Sequence, residues 1–274
     1  MKYRAPRGFL HRASQKLVAR ALAPYRNYVI RNAGLTSSRE FDEHDVFLVS
    51  YPKSGSTWLR VLMLGVIFGC DPVLMPFDLH DRLMPFVDNK EYYTRIATPM
   101  YFKSHRTPMP KYRRVIYLVR DGRDVVVSFL HHLRAVYGTE IDAMKFIQGG
   151  SQYYGIQWQD HIQAWERNAY DAEILTVKYE DLKTNPVGTM QRVCAFAGVT
   201  RDEALIQRVV EGAAFEQMQR KEKQEGRPYA EWIGSAPFVR RGKVGSYRDE
   251  LPADQLAAFM ERAGDMLRKY GYVE

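Results

Sequence analysis

The hydrophobic positions of this chain fall into short continuous apolar runs and longer stretches with a helical period. Four apolar runs, each bounded by charged residues, proline or glycine, are predicted as buried strands: Val46–Tyr51, Met100–Lys103, Val115–Val119 and Ile174–Val177. The predicted helices are Thr57–Phe68, Asp124–Leu133, Gln157–Asn168, Pro186–Ala197, Glu203–Val210 and Asp254–Tyr270. Fully apolar strands that alternate with helices are typical of parallel sheets. The pattern therefore predicts a single α/β domain with a central, mainly parallel β-sheet flanked by helices.

Two regions show neither a continuous apolar run nor a helical period. Asp71–Thr98 is rich in proline, methionine and aromatic residues, and Gln219–Gly245 mixes charged residues with glycine and proline. Long irregular segments in a compact α/β domain usually carry function, so both are predicted as functional loops. The most apolar run, Val61–Cys70, is too short to span a bilayer and is predicted as part of a buried helix.

The net charge of +8 is confined to the start of the chain. Residues 1–31 contain eight lysines and arginines and no acidic residue, whereas the rest of the chain has equal numbers of acidic and basic side chains. We therefore divide the chain into a basic N-terminal arm, residues 1–40, and a domain, residues 41–274. Because the domain is neutral overall, no nucleic-acid partner is expected.

Several interpretations fit the basic arm. It has the charge for weak contact with a membrane surface or for an acidic partner, and its composition is also that of a mitochondrial transit peptide. We favour a simpler interpretation, in which the arm is an amphipathic helix whose apolar residues pack on the domain. These residues are Leu17, Val18, Leu22, Tyr25 and Val29.

The cysteines indicate the compartment. Only Cys70 and Cys194 occur, and their spacing is that of neither a disulfide framework nor a metal site. The start of the chain also lacks the apolar stretch of a secretory signal. We therefore expect a reducing compartment and predict a cytoplasmic protein that needs no metal.

The segment Tyr-Pro-Lys-Ser-Gly-Ser-Thr-Trp, residues 51–58, follows a predicted strand and opens a predicted helix. At such a junction the backbone N–H groups and the positive end of the helix dipole bind an anion readily. Gly55 allows the backbone to approach a phosphate closely, and Lys53 supplies a full charge. An ordinary strand–turn–helix is the alternative, but the cluster of these residue types favours a phosphate site.

The order of residues in this loop bears on which phosphate compound it binds. In a triphosphate-binding loop the lysine follows the second glycine and the next hydroxyl holds magnesium, whereas Lys53 precedes Gly55. A P-loop kinase of a small molecule is the second hypothesis. This order of residues argues against it, and so does the lack of a recognisable acidic magnesium ligand in the sequence. A third is a non-catalytic protein that binds a membrane or nucleic acid through the basic arm.

Two further segments are candidates for anion binding. Arg120 ends a predicted strand and Ser128 follows eight residues later in a helix, so the two side chains can hold one phosphate between them. The alternative is a capped turn in which neighbouring acids and arginines form surface ion pairs. The segment Phe238–Tyr247 is dense in arginine and glycine, which suits a loop that closes over a phosphate, or else a solvated basic loop.

His105 is the candidate general base. It follows a predicted strand, and Lys103 lies two residues before it, so both side chains are expected at the same edge of the sheet. A histidine that titrates near neutral pH can accept a proton from an acceptor hydroxyl. His131 and His132 are interpreted as packing or surface residues, and the alternative is that one of them lines an acceptor pocket. For His161, a role in helix packing and a place beside the acceptor site fit equally well.

Residues 51–58 resemble the 5′-phosphosulfate-binding loop of the cytosolic-type sulfotransferases, Tyr-Pro-Lys-Ser-Gly-Thr-Thr-Trp, and differ from it only at Ser56. Enzymes of that family use 3′-phosphoadenosine 5′-phosphosulfate (PAPS) as sulfuryl donor and release PAP. Other segments are similar to family motifs in the same order: Lys103-Ser-His105, Arg120 with Ser128, Tyr179-Glu-Asp, Phe215-Glu-Gln-Met218 and Arg240-Arg-Gly242. An ordered set of motifs over residues 45–250 is far more specific than any one of them.

The resemblance implies a P-loop NTPase-like fold, in-line sulfuryl transfer to a phenol, alcohol or amine, and His105 as base. Lys53 and Lys103 would offset the charge that develops during transfer. The nucleotide-binding residues that it implies are Lys53, Ser54, Gly55, Ser56, Thr57, Trp58, Arg120, Ser128, Tyr179, Phe215, Met218, Phe238, Arg240, Arg241 and Gly242.

The chain departs from the family pattern at several positions. Ala213-Ala214 replaces a hydroxyl-bearing pair, so the contacts to the nucleotide base are expected to differ, and Ser246-Tyr247 replaces Asp-Trp. The family's C-terminal dimer motif is not recognisable after Arg248, so the resemblance implies no oligomeric state. The acceptor pocket is predicted to be walled by aromatic residues of the first irregular region: Phe77, Phe86, Tyr92 and Tyr93.

Overall fold

The computed structural model describes residues 22, 24–25, 27–138, 141–149, 154–226 and 237–274. Its strands, in chain order, are β1 (Leu35–Ser37), β2 (Val46–Ser50), β3 (Tyr92–Thr94), β4 (Tyr101–Ser104), β5 (Arg114–Val119) and β6 (Glu173–Lys178). The central sheet has four strands in the order β4-β2-β5-β6, and every pair in it is parallel. The predicted α/β fold and its four strands are therefore confirmed, with ends shifted by about one residue.

The helices flank this sheet. In chain order they are α1 (Ser56–Phe68), α2 (Phe77–Leu83), α3 (Gly122–Tyr137), α4 (Ala143–Ile147), α5 (Trp158–Arg167), α6 (Tyr179–Thr184), α7 (Pro186–Ala197), α8 (Glu203–Gly212), α9 (Phe215–Glu225), α10 (Tyr247–Glu250) and α11 (Ala253–Lys269). Short 3-10 turns lie at Pro72–Leu74 and Val87–Asn89.

Alternate residues of β2 belong to two separate cores. Phe47 and Val49 pack into one apolar cluster, and Val46 and Leu48 pack into the other. Successive side chains of a strand point to opposite faces, so the sheet is buried on both sides. The continuous apolar runs in the sequence have this double burial as their physical cause.

The two regions predicted as irregular loops contain regular structure, and that part of the prediction is wrong. Asp71–Thr98 includes α2 and β3, and β3 pairs antiparallel with β1 so that Thr36 lies opposite Tyr93. The second region, Gln219–Gly245, begins inside α9, which continues to Glu225. Part of that region, residues 227–236, lies outside the described residues.

The predicted packing of the arm is also wrong where it is described. Residues 27–32 are helical, but Leu22, Tyr25 and Val29 are 54%, 70% and 45% exposed. These three apolar side chains are therefore not packed on the domain. Leu17 and Val18 lie outside the described residues. No helix within the described ranges is long and apolar enough to cross a membrane.

Candidate active site

A cavity of about 460 Å³ opens at the carboxyl ends of β2, β4 and β5. The structure brings nearly all of the predicted site residues to its wall. These residues are Lys53, Gly55, Ser56, Thr57, Trp58, Lys103, His105, Arg120, Ser128, Tyr179, Phe215, Met218, Phe238, Arg240, Arg241 and Gly242. The carboxyl edge of a parallel sheet is where α/β folds bind ligands, because loops from several strands meet there.

Ser54 is the predicted site residue that the cavity wall does not include. Its side chain is buried, and its Oγ has no hydrogen-bond partner among the described residues. Its backbone N–H donates to the Tyr51 carbonyl at 3.3 Å, which closes the turn after β2. The predicted contact between Ser54 and a phosphate therefore stays a prediction.

The loop between β2 and α1 is held in a conformation that only glycine fits. Gly55 precedes the first residue of α1 and has a φ of 99°. A Cβ at this position would lie 2.6 Å from the ring of Tyr179. Glycine tolerates a positive φ and needs no room for a Cβ, so both constraints are met at once. The first turn of α1, with Ser56 and Thr57, then faces the cavity with its positive dipole end.

Arg120 lies at the end of β5, almost buried, with its guanidinium 4.3 Å from the centre of the Tyr179 ring. One terminal nitrogen donates to the Lys243 carbonyl at 3.1 Å and lies 3.5 Å from Asp124. Its Nε is buried and has no hydrogen-bond partner within the described ranges. Ser128, on α3, lines the same cavity and is half-buried. Both side chains therefore line the cavity, and that they hold one phosphate between them stays a prediction.

The turn after Arg120 is capped, as the alternative interpretation predicts, but it is buried instead of lying on the surface. Asp121 accepts from the Arg123 backbone N–H at 2.9 Å and pairs with its guanidinium at 2.7 Å. Asp124 is fully buried and accepts from the backbone N–H groups of Gly245 at 2.8 Å and Tyr247 at 3.0 Å. Sequence reasoning missed this role of Asp124, since nothing in the local pattern shows a bond to residues over 100 positions later.

The arginine-rich segment covers the cavity from the other side. Gly242 has a φ of 57°, and a Cβ there would lie 2.6 Å from the ring of Phe215. The Lys53 ammonium lies 4.6 Å from the centre of the Phe238 ring, which ties the segment to the loop after β2. At the start of the segment, Glu222 accepts from the Phe238 and Val239 backbone N–H groups at 2.6 and 2.8 Å.

His105 is held in one orientation and one tautomer. Its Nδ1 lies 2.7 Å from the Ser50 carbonyl oxygen, which can only accept, so Nδ1 carries the proton and Nε2 carries the lone pair. Its backbone N–H donates to Asp88 at 2.6 Å, and its carbonyl accepts from the Tyr154 hydroxyl at 2.6 Å. These contacts fix both the ring and the strand end that bears it.

Burial, with the nearby charge of Lys103, lowers the pKa of His105 well below its ordinary value. The hydrogen bond to the Ser50 carbonyl works in the opposite direction and does not outweigh them. A lowered pKa keeps the imidazole neutral near pH 7, which is the form that accepts a proton. Lys103 itself is almost fully buried on β4, with its ammonium 4.9 Å from the centre of the Phe86 ring.

The other histidines divide as follows. His161 is fully buried, accepts from the Tyr117 hydroxyl at 2.9 Å and donates to the His105 carbonyl at 3.1 Å. It therefore packs in the core and helps to position the backbone of His105. His132 lines the cavity, and burial with the charge of Lys53 lowers its pKa to about 4. His131 contacts Glu250 at 2.8 Å outside the cavity wall.

Aromatic side chains form a slot at one end of the cavity. Trp58 and Tyr179 meet edge to face with ring centres 5.7 Å apart, and the Trp58 indole N–H donates to the Ala213 carbonyl at 2.9 Å. Phe215 and Met218, at the start of α9, line the cavity here as well. A flat heterocycle fits such a slot by stacking.

The opposite end of the cavity differs from the predicted acceptor pocket. Of the four predicted wall residues, Phe86 lines the cavity. Tyr92 and Tyr93 belong to β3, and Phe77 lies on α2 beneath Lys221, so none of them reaches it. The residues that the prediction missed are Asn89, Phe129, Leu133, Val136, Tyr137 and Tyr154. Phe129, His132, Leu133 and Val136 follow Ser128 at helical spacing, a signal that the sequence does contain.

No group of three or more histidine, cysteine, aspartate or glutamate side chains that could hold a metal ion is found within the described residues.

Comparison with known proteins assigns this arrangement to a family. The family of the sulfotransferase domain matches residues 43–271. The chain is 28% identical to flavonol 3-sulfotransferase of Flaveria bidentis over 87% of each chain. It is 28% identical to sulfotransferase 1B1 of Mus musculus over 78% of this chain and 80% of the relative.

Solved structures share the fold. A mouse sulfotransferase complexed with PAP superposes with a TM-score of 0.65 at 22% identity, over 85% of this chain and 90% of that one. Retinol dehydratase in complex with androsterone and PAP superposes with a TM-score of 0.64 at 20% identity, over 83% and 82%. At these identities the likeness supports the fold.

Proposed function

This chain belongs to the sulfotransferase domain family and is a transferase, and from that premise we propose that it moves the sulfuryl group of PAPS to a hydroxyl or amine of a small-molecule acceptor. The observation that carries the proposal is the convergence on one cavity wall of three candidate phosphate-binding segments and His105, whose pKa is lowered. A protein that only binds nucleotides has no need of a base beside the phosphate loop.

The cavity fits the donor. Its wall carries the loop at Lys53–Trp58 for the 5′-phosphosulfate, and Arg120, Ser128 and the Arg240–Gly242 segment for the 3′-phosphate. One buried donor at the cavity wall, Arg120 Nε, has no protein partner among the described residues, and a phosphate oxygen of the donor would satisfy it. The slot at Trp58 and Tyr179, with Phe215 and Met218, suits the adenine ring.

The donor supplies an activated sulfuryl group on a good leaving group, and the chain supplies base and charge. We assign His105 as general base, because its Nε2 lone pair is the one available and the imidazole is neutral at neutral pH. The acceptor proton moves to Nε2, and the Ser50 carbonyl holds Nδ1–H throughout.

Lys53 and Lys103 offset the negative charge that develops in transfer. Both line the cavity, and Lys103 is almost fully buried, where a charge acts more strongly than in water. Transfer of this kind relies on positioning and electrostatics, as phosphoryl transfer does. No metal is required in this scheme.

The acceptor end is mostly apolar, with Phe86, Phe129, Leu133 and Val136 around Tyr154. Such walls suit a flat or apolar phenol, alcohol or amine.

Cys70 and Cys194 are both free thiols, which supports our placement of the protein in the cytoplasm. We propose weak contact of the basic arm with membrane surfaces as a secondary property.

A direct assay tests the proposal. The purified chain is incubated with PAPS and a panel of phenols, alcohols and amines, and PAP release is followed, with ATP as the alternative donor. We expect release of PAP with at least one acceptor class and no transfer from ATP. If PAPS does not bind, or if ATP serves as donor, the proposal is wrong and the kinase hypothesis gains.

A further inference from the structure

Glu250 contacts both arginines of the segment that covers the cavity. The two terminal nitrogens of Arg240 donate to its two carboxylate oxygens at 2.7 and 3.0 Å, and Arg241 donates to one of them at 3.0 Å. His131 adds a contact at 2.8 Å. Burial raises the pKa of Glu250, but the hydrogen bonds and charges of these partners outweigh it and lower the net pKa. The group is therefore an anion with several donors around it.

This anion lies behind the wall of the cavity. Arg240 and Arg241 line the cavity, whereas Glu250 is not one of the lining residues. The planar fork of a guanidinium grips a carboxylate or a phosphate through the same pair of N–H groups. With both terminal nitrogens of Arg240 turned to Glu250, its fork is engaged with an internal ligand of the same chemistry as a nucleotide phosphate.

The backbone of the segment does not depend on Glu250 for its place. Glu222 holds the start through two backbone N–H groups, and Asp124 holds the end through the N–H groups of Gly245 and Tyr247. Glu250 contacts only side chains. Removing its charge therefore releases the two guanidinium groups while the segment stays anchored.

We propose that Glu250 is an internal competitor for the nucleotide's 3′-phosphate, which holds Arg240 and Arg241 until the phosphate takes its place. This inference rests on the proposed function, since it assumes that the cavity binds PAPS and PAP. The competition weakens the hold on both nucleotides and favours release of PAP after transfer. Glu250 is thus a tuning residue that acts through the arginines without touching substrate.

The test is the affinity for PAP of the wild-type chain and of Glu250→Gln, measured by titration calorimetry. Gln keeps the shape and one acceptor oxygen but removes the charge. We expect PAP to bind about fivefold more tightly, because two partly exposed ion pairs that compete with the phosphate are lost. AMP, which lacks the 3′-phosphate, should bind equally to both proteins.

The neighbouring acid provides a matched control. Asp249 lies on the same short helix, is more exposed, and lies 3.9 Å from Arg241 and 3.5 Å from Lys243. Asp249→Asn removes the same charge without releasing the fork of Arg240, so PAP affinity should change by less than about twofold. If Glu250→Gln does not fold, Glu250→Ala removes the same carboxylate and should also tighten PAP binding.

The outcomes separate a failure of the inference about Glu250 from a failure of the proposed function. Weaker or unchanged PAP binding in the Glu250 variants overturns the inference and makes Glu250 a support for the arginines. An equal gain for AMP, or for Asp249→Asn, overturns it as well, because the effect is then one of net charge. If wild-type protein does not bind PAP, the proposed function itself falls, and the inference falls with it.

Discussion

Asp124 offers the sharpest test of how the arginine-rich segment is held. Its two carboxylate oxygens accept from the backbone N–H groups of Gly245 and Tyr247, and one of them lies 3.5 Å from Arg120. The side chain is fully buried, so water does not replace these bonds when they are lost. In Asp124→Asn one acceptor oxygen remains, and the amide N–H group meets donors at the other position.

The expected cost follows from that mismatch. One buried backbone N–H group of the segment then faces an amide N–H group and has no acceptor, which costs about 2 kcal/mol. Since these bonds place the segment that covers the cavity, we expect the cost to appear as weaker binding, up to about 30-fold in the Kd of PAP.

The assay is titration of the wild-type protein and of Asp124→Asn with PAP. It is run at a temperature at which urea unfolding curves show that both proteins are folded. Asp249→Asn, on the short helix α10 that follows the segment, serves as the control for the change of charge and should shift the Kd by less than about twofold. A variant that loses stability yet binds PAP with the wild-type Kd would refute the reasoning, because Asp124 would then stabilise the fold without placing the segment.

Further predictions concern the loop, the base and the arm. Gly55→Ala should weaken PAP binding at least tenfold, because its Cβ would meet the Tyr179 ring at 2.6 Å. Gly198→Ala is the control, since Gly198 also has a positive φ but no atom lies within 4 Å of its Cβ position. This variant should lose about 1 kcal/mol of stability in urea unfolding and keep the wild-type affinity for PAP. Because the pKa of His105 is lowered below 6.5, kcat/KM should stay near its maximum as the pH falls to 6.5 and decline only below it, and a profile that falls above this pH contradicts the neutral imidazole. Deletion of residues 1–31 should leave turnover unchanged but abolish sedimentation with anionic vesicles, and loss of turnover would place part of the site in the arm.

The sheet and the place of the loop at residues 51–58 could be predicted from the sequence because their signals are local. The strands are apolar on both faces, and the residue types needed near a phosphate lie within a few positions of Gly55. The same is true of His105, whose place follows from the strand before it. Helix α3 shows the limit, since its cavity-facing residues have the right spacing but only the tertiary structure shows which face lines the cavity.

What the sequence could not show depends on polar burial and on distant contacts. Helix α9 has no apolar period because its buried face includes Lys221 and Glu222, which are satisfied by partners elsewhere in the chain. Strands β1 and β3 have three residues each, too few to show alternation. Asp124 and Glu250 bond to groups that only the fold brings near, so no local pattern indicates them.

The measurement that tests the central claim most directly is turnover and PAP binding in His105→Ala, with His44→Ala as the exposed control. We expect His105→Ala to lose at least about 100-fold in turnover, the contribution of a positioned general base, while PAP binds as in the wild type and His44→Ala behaves normally. Substantial turnover in His105→Ala would contradict the assignment of His105 as the base, and failure of wild-type protein to bind PAP would contradict the whole account.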